Sequence, residues 1–163
     1  MEIHIRSRHH IRSNNVKKIL KELEKIFGTS DIDAKFKGKR FELLKTGPYD
    51  IILVDGEPLL FMPDGEPFLT VKGALSIKPE RRVVVVDAGA TRFVVNGADV
   101  MRPGIVQADP DIEAGNLVIV VEELHKKALA IGRALVPGDD MMGRSGKVVK
   151  SVHYVGDALW KII

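Results

Sequence analysis

Apolar positions in the first third of the chain change period once. EIHIRSRHHI (residues 2–11) alternates, which predicts a strand with Ile3, Ile5 and either His9 or Ile11 on one face. From Val16 the step lengthens. Val16, Ile19, Leu20, Leu23, Ile26 and Phe27 recur three and four residues apart, predicting a helix over 15–27 with Ser13 or Asn14 as N-cap and Gly28 as the C′ stop. Lys17, Lys18, Lys21 and Lys25 take its other side. AKFKGKRFELLKT (34–46) then reads as a tight pair of strands, or one strand entered through a glycine turn. Two apolar runs, Ile51–Val54 and Leu59–Met62, are each trailed by Asp-Gly-Glu-Pro, and Asp-Gly is a hairpin signal. Residues 68–77 carry Leu69, Val71, Ala74 and Leu75 and predict a short helix ending near Pro79.

The texture changes at Arg81. VVVV (83–86), VIVVE (118–122), ALAIGRALV (128–136) and KVVKSVHYV (147–155) are short β runs separated by Gly, Pro and Asp clusters, with room for one or two small helices. That pattern predicts a compact mixed barrel, whose closure removes exposed strand edges. Pro-Glu-Arg-Arg at 79–82 marks the expected boundary between a basic N-terminal domain, 1–80, and a barrel domain, 81–163. The fold class is therefore α+β, a small α/β domain followed by a mixed β-barrel. Trp160 is expected as a core anchor closing that barrel.

Composition narrows the class. A chain of 163 residues with 45% hydrophobic residues and a mean hydropathy of +0.02 reads as an ordinary globular protein. No apolar run approaches the roughly 18 residues a membrane span needs, and the charged N-terminus is no secretory signal, so no membrane partner is expected. The absence of cysteine excludes disulfides and thiolate metal sites and fits a cytoplasmic protein. Scarce Asn and Gln among abundant charged residues resemble thermophile composition. The net charge of +3 is uneven: residues 1–46 hold 12 Lys+Arg against 6 Asp+Glu, and residues 47–163 hold 13 against 16. This asymmetry points to an acidic partner for the N-terminal part, phosphate first, with a solvated basic face as the alternative.

Candidate chemistry is sparse. There is no GxxxxGK[ST] loop, no GxGxxG after a strand and no GxSxG, so neither a nucleotide cofactor nor an oriented nucleophile is implied, and no cofactor is expected. The adjacent carboxylates of GDDMM (138–142) suit a divalent ion, yet more simply start a short helix. His4, His9 and His10 cluster without zinc spacing, and no metal site is expected. The densest stretch is GATRFVVNGADVMRPGI (89–105), where Gly89, Gly97 and Gly104 mark changes of direction. It is a packed corner, a phosphate cradle using the amides of a helix starting near Ala90, or a surface that reads nucleic acid. Arg92 and Arg102 flank it and are suited to phosphate or to stacking on a base. Arg144, Lys147 and Lys150 extend the same basic surface or form a flexible charged loop.

The Gly-Ala opening, short helix, second Gly-Ala and Pro-Gly of that stretch resemble the PUA domain signature, and ALAIGRA resembles the family's strand with an Ala-x-Gly ending. The likeness spans about residues 81–157. GADVMRPGI, VHYVGDALW and DGEPLLFMPDGEPFLT are further similar to the malignant T-cell amplified sequence family and the matching part of ligatin, with this chain as an archaeal-type homologue. The resemblance implies a pre-PUA domain before a C-terminal PUA barrel. Eukaryotic members act with the density-regulated protein on the small ribosomal subunit, in initiation, reinitiation and recycling. It thus implies a non-catalytic RNA-binding protein of translation, engaging tRNA or small-subunit ribosomal RNA, with the small ribosomal subunit and a density-regulated-type protein as partners. Carried over by position, RNA contacts fall on Gly89, Ala90, Arg92, Gly97, Ala98, Met101, Arg102, Pro103 and Gly104, with Arg144, Lys147 and Lys150 beside them. Arg6, Arg8, Arg12, Lys17 and Lys18 form a secondary basic surface. Two other readings stay open: an accessory RNA-binding subunit for a separate base-modification enzyme, and a protein-binding adaptor.

Overall fold

In the computed structural model, which describes residues 3–162, two sheets divide the chain. The first is an antiparallel meander of β1 (Ile5–His10), β2 (Phe41–Thr46), β3 (Asp50–Val54), β4 (Glu57–Phe61) and β5 (Phe68–Leu69). Helices α1 (Ser13–Phe27) and α2 (Thr29–Phe36) connect β1 to β2, and α3 (Val71–Ile77) follows β5. Asp55-Gly56 makes the β3–β4 hairpin with both residues at positive φ, 50° and 86°.

α1 stops where expected, at Gly28 with φ 92°, whose N–H bonds the Glu24 carbonyl at 2.8 Å. Its start differs from the sequence reading. Ser13 and Asn14 lie inside the first turn, Arg12 is the N-cap residue, and no side chain caps the helix. Residues 34–36 belong to α2 instead of a strand, because Ile32 and Phe36, one turn apart, bury a stripe too short to show a period. Phe68 and Leu69 pair with β4, so the helix predicted over 68–77 begins only at Val71. Thr70 sets that start: its Oγ1 accepts from the Gly73 N–H at 3.1 Å and donates to the Pro58 carbonyl at 2.7 Å. β1 is an edge strand with all its side chains exposed, so its alternation marks no buried face.

The second sheet comprises β6 (Val83–Val86), β7 (Val100–Met101), β8 (Ile105–Ala108), β9 (Leu117–Glu122), β10 (Ala128–Ala134) and β11 (Lys147–Tyr154), with α4 (Ala88–Val94) after β6. Its order is β7-β11-β10-β9-β6-β8, antiparallel except for the β6–β9 pair. The two edges, β7 and β8, are consecutive in the chain and joined by a 3-10 turn, Arg102–Gly104. The sheet therefore curls into a nearly closed mixed barrel.

Alternate residues of the barrel strands serve different cores. Val84, Val86, Val118 and Val120 point inward, with Val94, Ile112 and Met141. Val85, Leu117, Ile119, Val121 and Ile131 point outward into the core built by α1, α2, α3 and the meander. A strand buried on both faces reads as an unbroken apolar run, which is what VVVV and LVIVV are. Polar links cross the same seam. Arg133 reaches Asp64 at 2.9 Å and Glu66 at 2.6 Å, and Tyr49 donates to the Val152 carbonyl at 3.2 Å. Trp160 is half-buried against this first core, with Lys72 Nζ 4.8 Å above its ring, and does not close the barrel. Among the described residues no helix is long and apolar enough to cross a membrane.

Candidate nucleic-acid interface

The glycine-rich stretch folds into α4, β7 and the 3-10 turn, and strand pairing brings it against β11. Val100 faces Val149, Met101 faces Lys147, and the Arg102 N–H bonds the Gly146 carbonyl at 2.8 Å. One neighbourhood thus holds residues 97–104 with 143–150.

The glycines serve packing. A Cβ on Gly97, which has φ 90°, would lie 2.8 Å from the Tyr154 ring, and one on Gly104 would lie 2.6 Å from the Ala90 Cβ. α4 begins at Ala88, and its Ala90 N–H is taken by Asp87 Oδ1 at 2.8 Å. That carboxylate takes one of the amides a cradled phosphate would use, and Gly97 and Gly104 stand in closely packed corners.

Two of the expected cations are engaged. Arg102 Nε donates to the Asp140 carbonyl at 2.9 Å, Nη1 to the Ser145 carbonyl at 3.0 Å and Nη2 to Asp140 Oδ2 at 3.1 Å. A Cβ on Gly146 would lie 2.7 Å from Arg102 Nη1, so the 141–146 loop wraps closely around the guanidinium. Lys147 Nζ is 2.9 Å from Asp99 Oδ2. This bond, opposed by burial and helped by the Ser151 N–H and by the charges of Lys147 and Lys150, holds the Asp99 carboxyl below the usual carboxylate range. Arg92, Arg144 and Lys150 remain exposed, with no ion-pair partner among the described residues.

The sequence reading did not single out Phe93, which the structure leaves exposed on α4. Phe93 is 56% exposed, and the Arg92 guanidinium carbon lies 4.9 Å from its ring centroid. Met101 on β7 and Met142 in the 141–146 loop are also exposed. α4 is seven residues long and fully buries only Val94, with Ala90 and Val95 partly covered, so its packed stripe does not reach Phe93.

The N-terminal cations lie on the other unit. Arg8 forks onto Glu42 with Nε at 2.8 Å and Nη2 at 3.1 Å, and its hydrogen bond is the main cause that holds the Glu42 carboxyl down. Arg6 lies over Gly47, where an added Cβ would stand 3.6 Å from Arg6 Nη2. Arg12 precedes α1, and Lys17 and Lys18 project from it.

Residues 82–155 match the PUA domain model. An uncharacterized protein of Methanocaldococcus jannaschii is 45% identical over 157 residues, 96% of each chain. Translation machinery-associated protein 20 of Saccharomyces cerevisiae is 30% identical over 88% of this chain and 83% of its own. Malignant T-cell-amplified sequence 1 of Danio rerio is 31% identical over 68% and 64%. The chain belongs to this family of PUA-domain proteins. A crystal structure of a hypothetical protein from Pyrococcus horikoshii superposes with a TM-score of 0.89 at 34% identity, covering 96% of this chain and 99% of that one. The barrel is thus the PUA domain, and α4, β7 and the 3-10 turn are the elements on which the family resemblance placed RNA contacts.

Proposed function

We propose that this PUA-family protein is a non-catalytic RNA-binding component of the translation apparatus, engaging tRNA or small-subunit ribosomal RNA through the α4–β7 face of the barrel. The observation that carries the reading is the Arg92–Phe93 pair, a cation over an exposed ring on the PUA helix. A base stacks on such a ring, and the guanidinium meets the adjoining phosphate or base. Arg144 and Lys150 supply further phosphate contacts, and Lys147 joins them while remaining tied to Asp99. Gly89, Ala90, Gly97, Ala98, Met101, Pro103 and Gly104 shape the surface, and Arg102 holds the 141–146 loop that carries Arg144. The names of the yeast relative and its family support the placement in translation. The two domains, 1–80 and 81–163, act as one binding unit because they share a core.

Crosslinking in native lysate, followed by sequencing of the bound RNA, tests the reading. Reads concentrated on small-subunit ribosomal RNA or initiator tRNA, lost in an Arg92→Gln/Phe93→Ala variant, are expected. A broad set of tRNAs would point instead to an accessory role for a modification enzyme, and no RNA above background would refute RNA binding. Losing one stacked base costs about 1–3 kcal/mol, or roughly 5- to 150-fold in affinity.

A second reading rests on the exposed Phe93, Met101 and Met142, an apolar set suited to a protein partner of the density-regulated type. Pull-down of such a partner, abolished by Phe93→Ala with RNA crosslinking unchanged, would favour it.

A further inference from the structure

The N-terminal unit carries unpaired charge of its own, apart from the barrel face. Between α1 and the α2–β2 connector runs a groove of about 740 Å³. α1 contributes Lys17, Lys18 and Lys21 to its lining, and the connector contributes Lys37, Lys39 and Arg40. Glu24 and Asp33 also line it and leave it strongly positive. Lys39 and Arg40 are held loosely, 3.8 Å from Asp55 and 3.7 Å from Glu42. Lys17, Lys18, Lys21 and Lys37 have no ion-pair partner among the described residues.

Such an arrangement is unfavourable for the free chain. Lys17 and Lys21 stand at i,i+4 and Lys18 and Lys21 at i,i+3, where like charges repel. The first turn of α1 offers no carboxylate to offset them. Glu22, four residues after Lys18, and Glu24, three after Lys21, offset part of this repulsion, and the excess of lysines that remains suits an anionic partner. On the barrel face Arg102 and Lys147 are bonded to Asp140 and Asp99, while Arg92, Arg144 and Lys150 have no ion-pair partner among the described residues.

Phe36 and Phe41, the groove's aromatic rings, are 0% and 5% exposed, and Ile11, Val16 and Leu20 line it half-buried between the lysines. The unpaired charge is distributed along a helix and its neighbouring connector. That suits a sugar-phosphate backbone, which positions a protein without reading sequence.

We propose that the groove between α1 and the α2–β2 connector is a second RNA site, gripping the phosphate backbone through Lys17, Lys18, Lys21 and Lys37 and supplying most of the salt dependence of RNA binding. This rests on the reading that the chain binds RNA, and deepens it: the PUA face contacts bases while the groove holds an adjoining strand.

The test is fluorescence anisotropy of the full chain with a labelled, unstructured RNA of about 12 nucleotides. A variant carrying Lys17→Gln, Lys18→Gln, Lys21→Gln and Lys37→Gln is compared with a charge-matched control carrying Lys45→Gln, Lys126→Gln, Lys127→Gln and Lys161→Gln. Circular dichroism and thermal melting verify that both fold. Each single-strand phosphate contact adds about 0.7 to the slope of log affinity against log salt, so the groove variant loses about 3. Between about 50 and 200 mM salt, wild type then loses about 50-fold more affinity than the groove variant, while the control keeps the wild-type slope. Equal losses in variant and control would show that net charge alone matters and overturn the groove. An unchanged slope in the groove variant, with wild type still binding, would overturn the groove and leave the barrel-face reading standing. No binding by wild type would overturn both. Displacement of the RNA by polyglutamate at equal charge concentration would overturn the RNA assignment in favour of an acidic protein.

Discussion

Replacing His153 by leucine tests whether the two units are held as one body. His153 is fully buried on β11, and its two ring nitrogens serve different partners. Nε2 accepts from the Val71 N–H at 3.1 Å, at the start of α3, and Nδ1 lies 3.0 and 2.9 Å from the two oxygens of Asp157. A backbone N–H can only donate, so Nε2 is bare and Nδ1 carries the proton. Leucine would leave the Val71 N–H buried without an acceptor, at about 1–3 kcal/mol. Asp157 would keep the Tyr154 and Trp160 N–H groups, both at 2.9 Å, but lose a charge-assisted bond worth about 1.5–3 kcal/mol. The edge-on contact with Phe61, 5.6 Å between centroids, contributes about 0.5–1 kcal/mol more. Leucine refills part of the volume and water reaches part of Asp157, so the expected net loss is about 3–4 kcal/mol. Urea unfolding followed by Trp160 fluorescence and by circular dichroism measures it. With a slope of about 2 kcal/mol per molar, the midpoint falls by roughly 1.5–2 M, and both probes should move together. A loss below about 1 kcal/mol would refute the bridge. Separate transitions by the two probes would refute the shared core.

The other predictions concern packing, acid and the loop. Gly73→Ala places a Cβ 2.1 Å from the Leu59 carbonyl oxygen, so α3 must retreat from β4, and urea unfolding should show a loss of about 1–3 kcal/mol. Asp157 is pushed up by burial, but its bonds from His153, Trp160 and Tyr154 outweigh that and hold its carboxyl below the usual range; Asp99 is held down as well. A depressed folded value means stability that is present above the unfolded value, near pH 4, and is lost as pH falls through the folded one. Urea midpoints should therefore be level near neutral pH and drop below about pH 4, and Asp157→Asn should flatten that fall. Arg102→Ala should raise hydrogen exchange of the backbone amides over 141–146 while changing global stability by less than about 1 kcal/mol, since its carboxylate partner is largely exposed. Unchanged exchange would show that the loop does not depend on the clamp.

Where period or turn chemistry was strong, the elements were legible. α1 showed through its apolar stripe and Gly28, the β3–β4 hairpin through Asp55-Gly56, and the barrel strands through their β-branched runs. The PUA family was legible as a resemblance, in the Gly-Ala, second Gly-Ala and Pro-Gly of residues 89–105. α2 was hidden because one turn of burial, Ile32 to Phe36, is shorter than any recognisable period. The α1 cap was misplaced because Ser13 and Asn14 fit a cap chemically, yet the chain turns helical two residues earlier than expected, at Ser13.

The sequence by itself determined α1, the β3–β4 hairpin and the long barrel strands, because dihedral preference and apolar period are local properties of the chain. It also determined that the N-terminal part is basic. Only the tertiary structure decided which charges are free. Arg102 and Asp140 are 38 residues apart and meet because the 141–146 loop wraps around the turn after β7. Asp99 meets Lys147 through the β7–β11 pairing. Tertiary packing likewise left Phe93 exposed and buried the valine run of β6 on both faces, one toward the barrel and one toward the N-terminal unit. The physical reason is the same in each case: desolvation and ion pairing depend on distance in space, and strand pairing sets that distance.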